Sequence, residues 1–126
     1  MKRSLSCVFA LFSASLMICI SEVSAQQATP AYSDVDRIFH ARCLNCHAGI
    51  RPAAGLRLKT YANVIAGTKE GPVIVKGNPA ESELVKRVKG ISSPRMPKDG
   101  PPWLSEKEIA LIENWIAAGA RDTEAR

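Results

Sequence analysis

The stretch Cys43-Leu44-Asn45-Cys46-His47 constrains this chain more than any other. Cysteines three residues apart emerge on one face of a helix, and C-x-x-C followed directly by histidine is the pattern by which c-type haem is attached. Both thiols can reach the two vinyl groups along one porphyrin edge, and the imidazole of His47 can turn onto the iron. The pattern therefore predicts one covalent haem c, held by Cys43 and Cys46, with His47 as proximal ligand.

Two other uses of the same side chains remain open. Cys43 and Cys46 would suit a structural disulfide, or two positions of a zinc site completed by His47 and His40. A zinc site would need more ligands than the chain offers elsewhere, and a redox C-x-x-C pair would not need the histidine. Haem attachment is the interpretation that uses all three residues.

The N-terminal segment predicts export. Lys2 and Arg3 precede an apolar run over 7–20 and a small-residue site ending at Ala25, which is typical of a secretory signal peptide over residues 1–25. The apolar run is shorter than the ~20 residues of a membrane span. We expect a periplasmic protein with no stable membrane span after cleavage.

Cleavage changes what the mature chain contains. Of the cysteines, only Cys43 and Cys46 remain, and Met96 is the only methionine left. Met96 lies between Pro94 and Pro97, which hold the backbone extended. A lone methionine on a stiff segment suits the second axial ligand of a haem, although a pocket or surface methionine is the alternative.

His40 is the rival ligand to Met96. It precedes His47 by two helical turns on the same predicted helix, so it does not easily reach the opposite face of the haem. A solvated or supporting role is expected for it.

The charge of the chain argues against nucleic acid as a binding partner. Cleavage removes Lys2, Arg3 and Glu22, which lowers the formal charge from +5 to +4, and no dense Lys/Arg run follows. Five cations bracket the Met96 segment, namely Lys86, Arg87, Lys89, Arg95 and Lys98. Some of them are expected to lie near the Met96 loop and to steer an acidic redox partner, and the alternative is an ordinary solvated helix face.

The hydrophobic spacing predicts an all-α domain. Helices are expected at 34–46 with Ser33 as N-cap, at 60–66 capped by Thr60, at 80–88, and at 106–118 behind a Ser105/Glu108 capping box, while 71–75 is extended without a partner strand. Residues 26–33 are expected to be a flexible lead-in, 34–120 the domain and 121–126 a tail.

Five motifs in order resemble the planctomycete-type cytochrome c. They are Cys43–His47, Gly55–Leu58, Gly71–Pro79, Arg95–Pro97 and Leu104–Ala120. The resemblance implies a small class I-like mono-haem cytochrome c fold, with the N- and C-terminal helices packed across each other around one covalent haem. It also implies the thioether roles of Cys43 and Cys46 and axial ligation by His47 and Met96.

The resulting functional prediction is a periplasmic carrier of single electrons between redox partner proteins, not an enzyme, and either a monomer or a subunit of a complex. A six-coordinate iron has no open position for substrate. Two alternatives stay open. One is a haem enzyme or gas-binding protein with a labile Met96, and the other is the electron-entry subunit of a periplasmic dehydrogenase or reductase complex.

Overall fold

The computed structural model describes residues 28–123, so the predicted signal peptide at 1–25, the start of the lead-in and the end of the tail lie outside the described residues. Within 28–123 the chain forms five α-helices and no strand, which confirms the all-α prediction. The helices are α1 (Tyr32–Arg42), α2 (Leu44–His47), α3 (Tyr61–Ala66), α4 (Glu83–Lys89) and α5 (Glu106–Ala117), with 3₁₀ turns at Ala53–Gly55 and Pro79–Glu81. No helix in this range is long and apolar enough to cross a membrane.

Helix α1 begins earlier than the sequence predicted. Its N-cap is Ala31, and the expected Ser33 cap is wrong. The carboxylate of Asp34 accepts a hydrogen bond from the Ala31 backbone N–H at 3.1 Å, so the acidic side chain at the third helical position engages the N–H of the N-cap residue, as in the second half of a capping box. The backbone N–H of Tyr32 donates to Thr123 O at 3.0 Å, which joins the start of α1 to the C-terminal segment.

The first and last helices pack against each other and form the centre of the core, as expected. Their buried side chains recur at helical spacing; they are Val35, Ile38 and Phe39 of α1, and Ile112, Trp115 and Ile116 of α5. The indole N–H of Trp115 donates to Arg121 O at 2.9 Å, so the largest buried side chain leaves no polar atom unpaired.

Helix α3 matches its prediction, with Thr60 Oγ1 accepting from the Asn63 N–H at 3.3 Å. The predicted helix at 80–88 begins later, because Ser82 breaks it. The buried Ser82 hydroxyl donates to Asn78 O and accepts from the Val75 N–H, both at 2.9 Å. This single side chain therefore ends the 3₁₀ turn and holds the extended segment 71–75 against the start of α4.

Helix α5 begins at the predicted capping box. Ser105 N–H donates to Glu108 Oε2 at 2.8 Å, and Glu108 N–H donates to Ser105 Oγ at 3.3 Å. The Ser105 hydroxyl also donates to Glu108 Oε2 at 2.8 Å, and the two hydrogen bonds that the Ser105 N–H and hydroxyl donate to this carboxylate lower the pKa of Glu108 below its ordinary value.

We predict that Glu108→Gln lowers the free energy of unfolding of the mature holoprotein by about 0.3–1 kcal/mol at pH 7, because it removes a negative charge, hydrogen-bonded to Ser105, from the first turn of the helix. Because the folded-state pKa of Glu108 is lowered, its contribution is present above the unfolded-state pKa and is lost as pH falls through the folded-state value. Urea unfolding at pH 7 and at strongly acidic pH should show the difference from wild type shrinking in acid. Glu106→Gln, an exposed acid in the same turn, is the control; an equal loss in both variants would contradict the assignment.

Candidate functional site

The Cys-His motif forms a separate turn at the end of α1. The backbone N–H of Cys43 still donates to Phe39 O at 2.8 Å, but the dihedral angles of Cys43 (φ −126°, ψ −32°) end the helix there. The N–H groups of Cys46 and His47 then both donate to Cys43 O, at 3.2 and 3.0 Å. The prediction of one continuous helix over 34–46 is thus wrong at Cys43, while the three motif residues still share a single turn.

The two thiols have different surroundings. Cys43 is half-buried and packs against the core, whereas Cys46 is exposed, and both are free thiols. Burial raises the pKa of the Cys43 thiol to about 11, although the neighbouring Arg42 charge opposes the shift. Cys43 is therefore a neutral thiol at physiological pH.

The zinc alternative gains no support from the arrangement of ligands. Within residues 28–123 no group of three or more His, Cys, Asp or Glu side chains is placed to hold a metal ion. His40 lies on α1 and not on the same helix as His47. Its side chain is 55% exposed, with Nε2 3.5 Å from Asp36 Oδ2, so it is a surface residue paired along its own helix.

The ring of His47 is oriented by a backbone carbonyl. His47 Nδ1 lies 3.2 Å from Leu56 O. Because a carbonyl oxygen only accepts, this hydrogen bond requires the proton on Nδ1 and leaves the lone pair of Nε2 available to a metal. The carbonyl of His47 itself accepts from the Leu58 N–H at 2.9 Å, so segment 56–58 is held against the motif turn by two bonds.

The return of the chain to His47 depends on a tight turn at 53–55. Gly55 has φ +71° and Ala54 has φ +51°, both in the left-handed region. Glycine adopts that conformation without a steric penalty. Residues 55–58 were predicted as a motif, but the role of the Leu56 carbonyl was not, since a backbone acceptor leaves no residue-type signal.

Met96 lies on the loop after α4. Its backbone N–H donates to Arg87 O at 3.0 Å, and its side chain is half-buried against the same apolar core that Cys43 contacts. The structure thus places Met96 and the motif turn on one core, although 49 residues separate Met96 from His47 in the sequence.

Two arginines hold the Met96 loop to α4. The Arg87 guanidinium donates to Ser93 O and, through Nε, to Glu83 Oε1 at 2.6 Å. The Arg95 guanidinium lies 4.3 Å from the ring centroid of Trp103, while its Nε donates to Val88 O at 3.4 Å. The role of Trp103 was not predicted, because its only signal in the sequence is an aromatic residue directly after two prolines.

We predict that Arg95→Gln speeds amide hydrogen exchange at Met96 by about two- to fivefold, because a cation–π contact contributes ~0.5–1 kcal/mol at such a site. The measurement is hydrogen–deuterium exchange of the holoprotein, read on peptides that cover 91–98. Lys98→Gln removes an exposed cation from the same loop and should leave exchange unchanged. If the two variants behave alike, Arg95 does not hold the loop.

Comparison with known proteins identifies the segment that carries this site. Residues 43–100 match the family model described as planctomycete cytochrome C. The match begins at the first motif cysteine and ends just after the Met96 loop, so α1 and α5 lie outside it. No curated protein and no solved structure matches the chain.

Proposed function

Because the chain contains a planctomycete-type cytochrome c domain over residues 43–100, we propose that it carries one covalent haem c and transfers single electrons between redox partner proteins in the periplasm. The observation that carries the proposal is the hydrogen bond from His47 Nδ1 to Leu56 O, which presents Nε2 as a metal ligand. Export rests on the sequence pattern of residues 1–25.

The donor set fits a c-type haem. Cys43 and Cys46 supply two free thiols on one turn for the thioether bonds, and His47 supplies an imidazole whose Nδ1 is held by Leu56 O. Iron in such a haem exchanges one electron between its ferric and ferrous states. The burial that keeps Cys43 a neutral thiol also places it next to the core that one porphyrin edge would contact.

Apolar side chains for the rest of the haem are also available. Several residues pack on the core yet keep part of their surface exposed, as expected of the wall of an apolar ligand site; they are Leu44, Leu56, Ile65, Val73 and Met96. We propose that they cover the porphyrin. Since α1 and α5 complete the same core, we propose that the folded unit extends beyond 43–100 to about 34–120.

Met96 is the proposed distal ligand. The hydrogen bond from its N–H to Arg87 O and the two arginine contacts restrict its loop before any ligand binds. A methionine held in this way costs little further entropy when it ligates, which favours a closed, six-coordinate iron and electron transfer over substrate chemistry.

Mass spectrometry of protein purified from the periplasm should show a chain beginning at Gln26 that carries one haem. The reason is that the signal peptide is removed on export and both motif thiols are consumed by thioether bonds. Cys46→Ala should leave at most one thioether bond, while His40→Ala should leave the adduct intact. Unmodified polypeptide, or zinc in place of iron, would refute the assignment.

The oxidised protein should show the weak near-infrared charge-transfer band of sulfur-to-iron ligation, and Met96→Ala should abolish it. His40→Ala is the matched control, because it removes the rival ligand, and it should keep the band. The reduced wild type should bind carbon monoxide poorly. Rapid binding of carbon monoxide would instead support the haem enzyme or gas-binding alternative.

Co-purification separates the carrier from the remaining alternative. A free carrier should elute from size-exclusion chromatography at the mass of one mature chain, because its contacts with partners are transient. A stable co-purifying dehydrogenase or reductase would identify an electron-entry subunit instead.

A further inference from the structure

The positive charge of this protein is concentrated around the Cys-His motif. Between Asp36 and Glu70 there is no acidic residue. The same stretch holds six cations, Arg37, Arg42, Arg51, Arg57, Lys59 and Lys69. The other described residues contain 8 cations and 10 acids, a net charge of −2. The net positive charge of residues 28–123 therefore comes entirely from the segment that contains the motif.

Most of these cations have no carboxylate partner. Arg37 pairs with Asp34 and Lys69 with Glu70. Of these six cations, four make no ion pair with a described acidic residue; they are Arg42, Arg51, Arg57 and Lys59. The Arg42 charge helps to lower the pKa of the Glu108 carboxyl, but that carboxylate already accepts a hydrogen bond from Ser105.

Most of the cations that bracket Met96 in sequence make contacts with acidic or aromatic residues of the same fold. Lys86, Arg87 and Lys89 pair with acids of their own fold, namely Glu81, Glu83 and Glu113. Arg95 lies on the ring of Trp103. Of the five cations first expected to steer a partner, only Lys98 makes no such contact within the described residues. An ion-paired cation contributes little net field.

Three of these four cations lie on the segment after the motif that returns to His47; they are Arg51, Arg57 and Lys59. Arg57 Nη2 donates to Ile50 O at 3.1 Å, so its guanidinium lies beside the Ile50 backbone. The backbone N–H of the next residue, Leu58, donates a hydrogen bond to His47 O. Ile50 is 93% exposed, the most exposed of the large apolar side chains in the described range. Ile50 is therefore a solvent-exposed apolar residue. The Arg57 guanidinium lies beside its backbone, Arg51 follows it in the sequence, and His47 precedes it by three positions.

We propose that Ile50, Arg51, Arg57 and Lys59, here called the His47-side surface, dock an acidic electron-transfer protein. The inference rests on the proposed function and adds where the partner binds. An apolar centre with a charged rim is the composition of a protein–protein contact, and transient redox contacts bury under ~1,200 Å². A single exposed isoleucine is too little apolar surface for stable insertion into lipid. In the complex one electron passes between the partner and the protein, one being oxidised as the other is reduced.

The test uses the holoprotein and a defined acidic probe, a carboxylate-terminated thiol monolayer on gold. Arg51→Glu/Lys59→Glu should lower adsorption at low ionic strength at least ~tenfold. The matched control is Lys76→Glu/Arg121→Glu, which makes the same change in net charge with two exposed cations near the C-terminal end of α5, and it should adsorb nearly as wild type. Adsorption of the wild type should fall steeply once the Debye length is below ~10 Å.

Voltammetry of the adsorbed protein reports which face is bound. Docking through the His47-side surface places the haem near the electrode, so the wild type should exchange electrons rapidly. On a mixed carboxylate and methyl monolayer, Ile50→Ser should lower adsorption by roughly threefold or more, and on pure carboxylate it should not.

The outcomes distinguish the two proposals. A protein that shows no reversible one-electron wave in solution refutes the proposed function itself. A normal wave with equal adsorption of both double variants refutes the docking surface alone. Ile50-dependent binding to phosphatidylglycerol vesicles that survives salt sufficient to remove the protein from the monolayer would overturn the choice of an acidic protein as partner.

Discussion

The packing of α1 on α5 is the contact on which the rest of the structure depends. Phe39 and Trp115 are almost fully buried in it, and a side chain of this kind contributes ~1.5–3 kcal/mol when buried. Phe39 is also the residue whose carbonyl accepts the Cys43 N–H. The helix pair therefore fixes the position at which the motif turn begins, even though the family match starts only at Cys43.

From that start, backbone contacts determine the chemistry of the site. The break at Cys43 turns the motif away from the axis of α1, and the tight turn at 53–55 brings the chain back so that Leu56 O meets the imidazole of His47. In the loop after α4, the backbone N–H of Met96 donates a hydrogen bond to Arg87 O. Both proposed axial ligands are thus positioned by carbonyl groups, which hold a side chain or loop without adding a competing metal ligand.

Local sequence patterns predicted the residues of the proposed site and most of the helices. Cys43, Cys46 and His47 are recognisable because thiols and imidazole are needed in a fixed spacing. The 106–118 helix was predicted almost to the residue, since the Ser105/Glu108 box and the hydrophobic spacing are local signals. Local signals also predicted Thr60 as a cap. Each of these features depends on residues within a few positions of one another.

The orientation of those parts, and which cations remain free of an ion pair, depend on contacts between residues far apart in the sequence. The Leu56 carbonyl beside His47 and the Arg87 carbonyl that holds Met96 were invisible in the sequence because every residue carries the same backbone acceptor. The sequence also did not show which cations form ion pairs with acidic residues. Lys89 is paired with an acid 24 positions away, while Arg51 pairs with none of the described acids. A cation is neutralised by acidic groups that lie close to it in space, and the fold determines which groups those are.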